Sequence, residues 1–114
     1  MTLDEIKEIV EADVLTNNSD MNTQIEKCCS SDLMSDVLAF SRPGSLLITG
    51  LTNETVVRSS EFANMKAILF VRGKKPSTKT IALAEEKKIP VLATKLSMFE
   101  ACGRLYIKGL GSDN

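Results

Sequence analysis

Ala67-Ile68-Leu69-Phe70-Val71-Arg72-Gly73 decides the fold. Five apolar residues in a row stop at a basic residue and a glycine. The run is short and lacks polar alternation, so it reads as a strand buried on both faces. Ser45-Leu46-Leu47-Ile48-Thr49-Gly50 repeats the pattern upstream, again closed by glycine. Ile89-Pro90-Val91-Leu92-Ala93 repeats it downstream, where proline is tolerated at a strand's first residues. Strands of this kind belong to parallel sheets covered by helices on both sides.

Helical segments fill the intervals. Thr52 to Ala63 fits a helix starting near Thr52 or Asn53, with Val56 and Val57 turned inward. Pro76-Ser77 opens another, with Ile81, Leu83 and Ala84 toward the core and Glu85, Glu86, Lys87 and Lys88 toward solvent. Ser97 with Glu100 forms a capping box for a last helix through Ala101 and Cys102, and Thr2 with Glu5 forms one for the first. Ala12 to Leu15 reads as a short strand, Thr16 to Asn22 as a polar loop, and Ile25 to Ser30 as a strand holding Cys28 and Cys29. Ser31 or Asp32 caps a short amphipathic helix carrying Leu33, Met34, Val37, Leu38 and Phe40, broken by Pro43-Gly44. Strand and helix thus alternate through the second half, which implies right-handed crossovers. The expected architecture is α/β, a three-layer α/β/α domain over residues 1–108 with a mostly parallel sheet of four to five strands. Residues 109–114, rich in Gly, Ser and Asp, are expected to form a flexible tail.

Composition narrows the function. The 114 residues are 43% apolar and 25% charged, and 14 basic against 15 acidic side chains give a net charge of -1. No global field draws such a chain onto nucleic acid or an anionic membrane, so any anion site is local. Histidine is absent, which removes the usual general base and the commonest metal ligand. Three cysteines, two of them adjacent, make neither a disulfide framework nor a zinc site, and point to a reducing compartment. Early acids in Met-Thr-Leu-Asp-Glu do not fit a signal peptide, and the apolar runs are too short to span a bilayer. The expectation is a cytoplasmic protein with no cofactor and no metal.

The strongest candidate site is Arg72-Gly73-Lys74-Lys75-Pro76-Ser77, basic residues at a strand's carboxyl end and a helix start. Ligands of open α/β sheets bind at strand carboxyl ends, and helix amino termini attract anions. Gly73 would let backbone approach a phosphate closely. Gly50 and Thr94 end the flanking strands and are expected on the same rim. The competing reading is a solvated loop with solubilising lysines. The segment lacks P-loop spacing. Asp32 and Asp36 share a helix face, but Asp32 is better explained as an N-cap and Asp36 as exposed. Cys102, near a helix start, is a candidate reactive thiol, with core packing the commoner role. Met98, Phe99, Cys102, Leu105 and Tyr106 form an apolar group at helical spacing, expected to be core, with a ligand lid or dimer contact as the other uses.

Asp32-Leu33-Met34-Ser35-Asp36, then Leu47-Ile48-Thr49-Gly50, a strand into Gly73, and Ala84-Glu85 with Ile89-Pro90-Val91 and Thr94 together resemble the DRTGG domain family. The resemblance runs from the first helix to Gly103. It implies an α/β/α unit similar to the amino-terminal domain of HPr kinase/phosphorylase, regulatory or assembling in role, commonly dimeric and not a catalyst. Taken with the basic turn at Arg72–Ser77, the expectation is a homodimer that senses a small anionic ligand such as a nucleotide, or alternatively an accessory subunit of a partner enzyme with no ligand of its own. Leu51-Thr52 stands where the family often has aspartate and arginine, and Val71-Arg72-Gly73 where it often has Thr-Gly-Gly. The glycine scaffold is kept and the polar side chains are not.

Overall fold

The computed structural model describes residues 1–112. In chain order the elements are α1 (Leu3–Ile9), β1 (Asp13–Val14), β2 (Lys27–Ser30), α2 (Met34–Phe40), β3 (Leu46–Thr49), α3 (Glu54–Phe62), β4 (Ala67–Phe70), α4 (Thr78–Glu86), β5 (Val91–Ala93), α5 (Met98–Ile107) and β6 (Gly111–Ser112). The strands form one sheet in the order β1-β5-β4-β3-β2-β6. All neighbours are parallel except β1, which runs antiparallel along β5.

The period of two along each apolar strand divides the core into two layers. Leu46, Ile48, Ala67, Leu69 and Leu92 face α1 and α5, where Leu3, Ile6, Ala101 and Leu105 meet them. Leu47, Ile68, Phe70, Val91 and Ala93 face the other way, onto Val37 of α2, Val56 and Val57 of α3 and Ala84 of α4. Every residue of β3 and β4 is buried, which is why both read as unbroken apolar runs. The three-layer α/β/α architecture expected from the sequence is the one observed. No helix among the described residues is long and apolar enough to cross a membrane.

Local signals acted as their chemistry requires at most ends. Thr2 and Glu5 make both bonds of a capping box, and Asn53, Ser77 and Ser97 cap α3, α4 and α5. The second box at Ser97 is half-formed in effect, because the Glu100 carboxylate accepts from Arg104 Nε at 3.1 Å. Neither Ser31 nor Asp32 caps α2. Leu33 occupies the N-cap without a side-chain bond, and the Ser31 hydroxyl accepts from the Leu33 N–H at 3.0 Å just before it. The tail also departs from expectation. Leu110 is buried in the α1–α5 layer, and Gly111–Ser112 pairs with Lys27 and Cys28 as a sixth strand. Residues 113 and 114 of that tail lie outside the described residues. The apolar group on α5 divides: Leu105 is core, whereas Phe99 and Tyr106 are 88% and 73% exposed.

Candidate functional site

Strands β2, β3, β4 and β5 end side by side at Ser30, Thr49, Phe70 and Ala93, and the loops that follow form one rim. Asp32 organises its middle. One carboxylate oxygen accepts from the Gly50 N–H at 2.7 Å and from the Thr49 hydroxyl at 3.1 Å. The other oxygen lies 3.4 Å from an Arg72 guanidinium nitrogen. Three loops are therefore tied through one side chain. The Gly50 N–H above all, then the Thr49 hydroxyl and Arg72, hold the Asp32 carboxyl below its ordinary range against the opposing cost of desolvation. Asp32 is a rim residue, not the helix cap that its position in the sequence implied.

Gly50 is buried beneath the arginine, and a Cβ there would lie 2.5 Å from the Arg72 guanidinium. The absence of a side chain is what lets the guanidinium lie across the β3–α3 turn. Arg72 and Gly73 both adopt left-handed backbone, with φ of 64° and 69°. Their N–H groups donate to the carbonyls of Leu96 at 2.7 Å and Thr94 at 2.9 Å, fastening the β4–α4 loop to the β5–α5 loop. The Thr94 hydroxyl is buried on the α1 side, donating to the Val10 carbonyl at 2.6 Å and accepting from the Leu96 N–H at 3.2 Å. Sequence reasoning placed Gly50, Gly73 and Thr94 on one rim, and the structure brings them together through backbone. The Gly73 N–H and the Thr94 hydroxyl, however, already have internal partners.

Beyond this knot the loop opens to solvent. Lys74 and Lys75 are exposed, and among the described residues neither enters an ion pair. Pro76 is buried and anchors the turn into α4, where the Ser77 hydroxyl accepts from the Thr80 N–H at 3.2 Å. Lys79, on the first turn of α4, reaches Glu54 of α3 at 4.0 Å. No cluster of three or more potential metal ligands exists among the described residues.

Two cavities flank the sheet. One, about 840 Å³, lies at the opposite end of the strands between the Thr16–Thr23 loop and the Lys87–Pro90 turn. The other, about 880 Å³, follows the β2–β6 edge from Arg72, between Phe40 of α2 and Phe99, Cys102 and Tyr106 of α5. Sequence reading gave the α5 residues to the core, with a ligand lid or dimer contact as the other uses, and did not bring them to Phe40, because α2 and α5 lie far apart in the chain.

Among curated proteins none matches the chain. The solved structures that resemble it include the CBS and DRTGG domains of the regulatory region of Clostridium perfringens pyrophosphatase, complexed with its activator diadenosine tetraphosphate. The likeness has a TM-score of 0.75 at 21% identity and covers 98% of this chain. The chain spans 48% of that one's length, so the likeness concerns the fold of a part. The family model of the DRTGG domain matches residues 5–106, nearly every element described above, and the chain belongs to the DRTGG domain family.

Proposed function

We propose that this chain is a non-catalytic regulatory module that senses a small anionic ligand such as a nucleotide, as a cytoplasmic homodimer with no nucleic-acid or membrane partner. The observation that carries the reading is Lys74 and Lys75, exposed and outside any ion pair among the described residues, beside Arg72 and the Ser77-capped start of α4. Cations at strand carboxyl ends next to a helix amino terminus favour an anion. The activator held by the pyrophosphatase regulatory region supports a nucleotide as the ligand class. In this reading Arg72, Lys74, Lys75 and Ser77 contact the ligand, while Gly50, Gly73 and Thr94 shape the rim beneath it.

Thermal-shift measurements across nucleotides and phosphorylated metabolites test the proposal. Stabilisation by at least one compound, lost in Lys74→Ala/Lys75→Ala, is expected. A panel with no shift, or an equal shift in the double variant, would overturn it. The second reading is an accessory subunit of a larger enzyme with no ligand of its own, supported by the place of a DRTGG domain within a pyrophosphatase's regulatory region. A stable complex with one enzyme in native extract, together with a silent ligand panel, favours that alternative.

A further inference from the structure

The cavity along the β2–β6 edge is bounded by three exposed aromatic side chains. Phe99 is 88% exposed, Tyr106 73% and Phe40 63%, and Ile107 on the outer side of α5 is 82% exposed. At roughly 200 Å² per aromatic side chain, the three aromatics alone leave on the order of 450 Å² uncovered. That is more than half of the ~800 Å² that each partner contributes to a standard interface, and Ile107 with the groove floor supplies much of the remainder.

We infer that this face joins two copies of the chain through a two-fold contact centred on α5; the inference rests on the homodimer in the proposed function and assigns its interface. The outer stripe of α5 carries both halves of a self-complementary surface. Phe99 and Tyr106 are projections, and between them Gly103 is a notch where an added Cβ would meet nothing within 4 Å. A two-fold contact requires one patch to fit itself, and projections beside a notch on the same helix allow an antiparallel copy to interdigitate. The charged residues of α5 are turned away from this stripe: Arg104 pairs with Glu100 at 3.1 Å and with Glu11 at 2.9 Å on the α1 side. The cavity itself carries two opposite charges. Asp36 makes no ion pair among the described residues, and Arg72 pairs there only with Asp32 and uses one of its five N–H donors on a side chain. Opposite charges in one groove are matched across a two-fold axis, Asp36 of one copy against Arg72 of the other.

Sedimentation equilibrium or size-exclusion chromatography with light scattering tests the assignment, on the full chain at micromolar concentration. The wild-type chain is expected as a dimer, and Tyr106→Glu and Phe99→Asp as folded monomers with unchanged far-ultraviolet circular dichroism. Both side chains are exposed, so substitution leaves the core intact. Phe62→Glu, on α3 and 81% exposed, is the control and should remain dimeric. A wild-type dimer that survives both α5 variants overturns this interface while the homodimer stands. A monomeric wild type overturns both. Monomeric wild type whose nucleotide stabilisation disappears in Phe99→Asp gives the groove to a ligand instead. Retained nucleotide stabilisation in monomeric variants separates the interface from the anion site.

Discussion

Asp32→Ala is the substitution by which the rim is most sharply probed. It removes the acceptor of two groups that are themselves buried, the Gly50 N–H at 2.7 Å and the Thr49 hydroxyl at 3.1 Å. A buried donor left without a partner costs about 1–3 kcal/mol. The Asp32 side chain is 40% exposed, so water reaches part of the vacated space and the loss falls toward the lower half of that range. The ion pair with Arg72 is long and exposed at both ends and adds at most a few tenths of a kcal/mol. The expected total is about 1–2 kcal/mol. With an unfolding entropy of ~2.1 cal/mol/K per residue, a domain of 114 residues then melts roughly 4–8 °C lower. Asp32→Asn keeps an oxygen facing Gly50 and Thr49 and should lose less than half as much. The assay is thermal and urea unfolding at pH 7 and along an acid series. The folded Asp32 carboxyl lies below its ordinary value of about 3.9. Its contribution is therefore complete above that pH and is lost as pH falls through the folded value. The gap between wild type and Asp32→Asn should accordingly close below about pH 4. An Asp32→Ala protein as stable as wild type, or an asparagine variant as unstable as the alanine one, would refute the acceptor role.

The other predictions separate the rim's supports from the groups proposed to face a ligand. Thr94→Val deletes a buried hydroxyl that serves both Val10 and Leu96, and should cost about 1–3 kcal/mol by urea denaturation. If Thr94→Val instead keeps full stability but loses ligand stabilisation, its hydroxyl belongs to the ligand and not to the α1 contact. Arg72→Gly relieves a left-handed backbone at φ 64° worth about 1 kcal/mol and gives up only a weak ion pair. It should match or exceed wild-type stability in thermal melts, while nucleotide stabilisation falls; a marked drop in melting temperature would mean the guanidinium holds the loops together.

Much of the fold was legible because its signals are local. The two unbroken apolar strands, Leu46–Thr49 and Ala67–Phe70, could only be covered on both faces, and their glycine ends marked the rim. Caps at Thr2, Asn53, Ser77 and Ser97 act within three residues of themselves, so their chemistry is written in adjacent positions. Asp32 was misread for the opposite reason. Its partners lie 17 and 18 residues away, and an aspartate before a helix looks the same whichever N–H it serves. Phe99 follows half-buried Met98 and Tyr106 follows buried Leu105, so hydropathy alone gave both to the core. Gly111–Ser112 carries no strand propensity of its own; it pairs because buried Leu110 delivers it to the edge of β2.

The rim's construction bears on what a ligand can do there. The groups that a sequence pattern would nominate for a phosphate, the Gly73 N–H and the Thr94 hydroxyl, are spent on joining loops. What remains for an anion is the cationic side chains and the Ser77-capped start of α4, on a backbone already fixed. Such a site gains affinity from charge more than from directed hydrogen bonds, so it weakens steeply with ionic strength. Arg72 is the one member with a second role, since it also bridges to Asp32 and so to the β2 and β3 loops. It also stands at the mouth of the groove beside α5. A ligand that draws the guanidinium from Asp32 would alter that mouth, coupling the anion site to the face assigned to the second copy. By linkage the coupling runs both ways: dimerisation then shifts ligand affinity by the same factor that ligand shifts dimerisation. Titrating ligand into wild type and into Tyr106→Glu measures that factor, and equal affinity in both would mean that the two sites sit on one molecule without communicating.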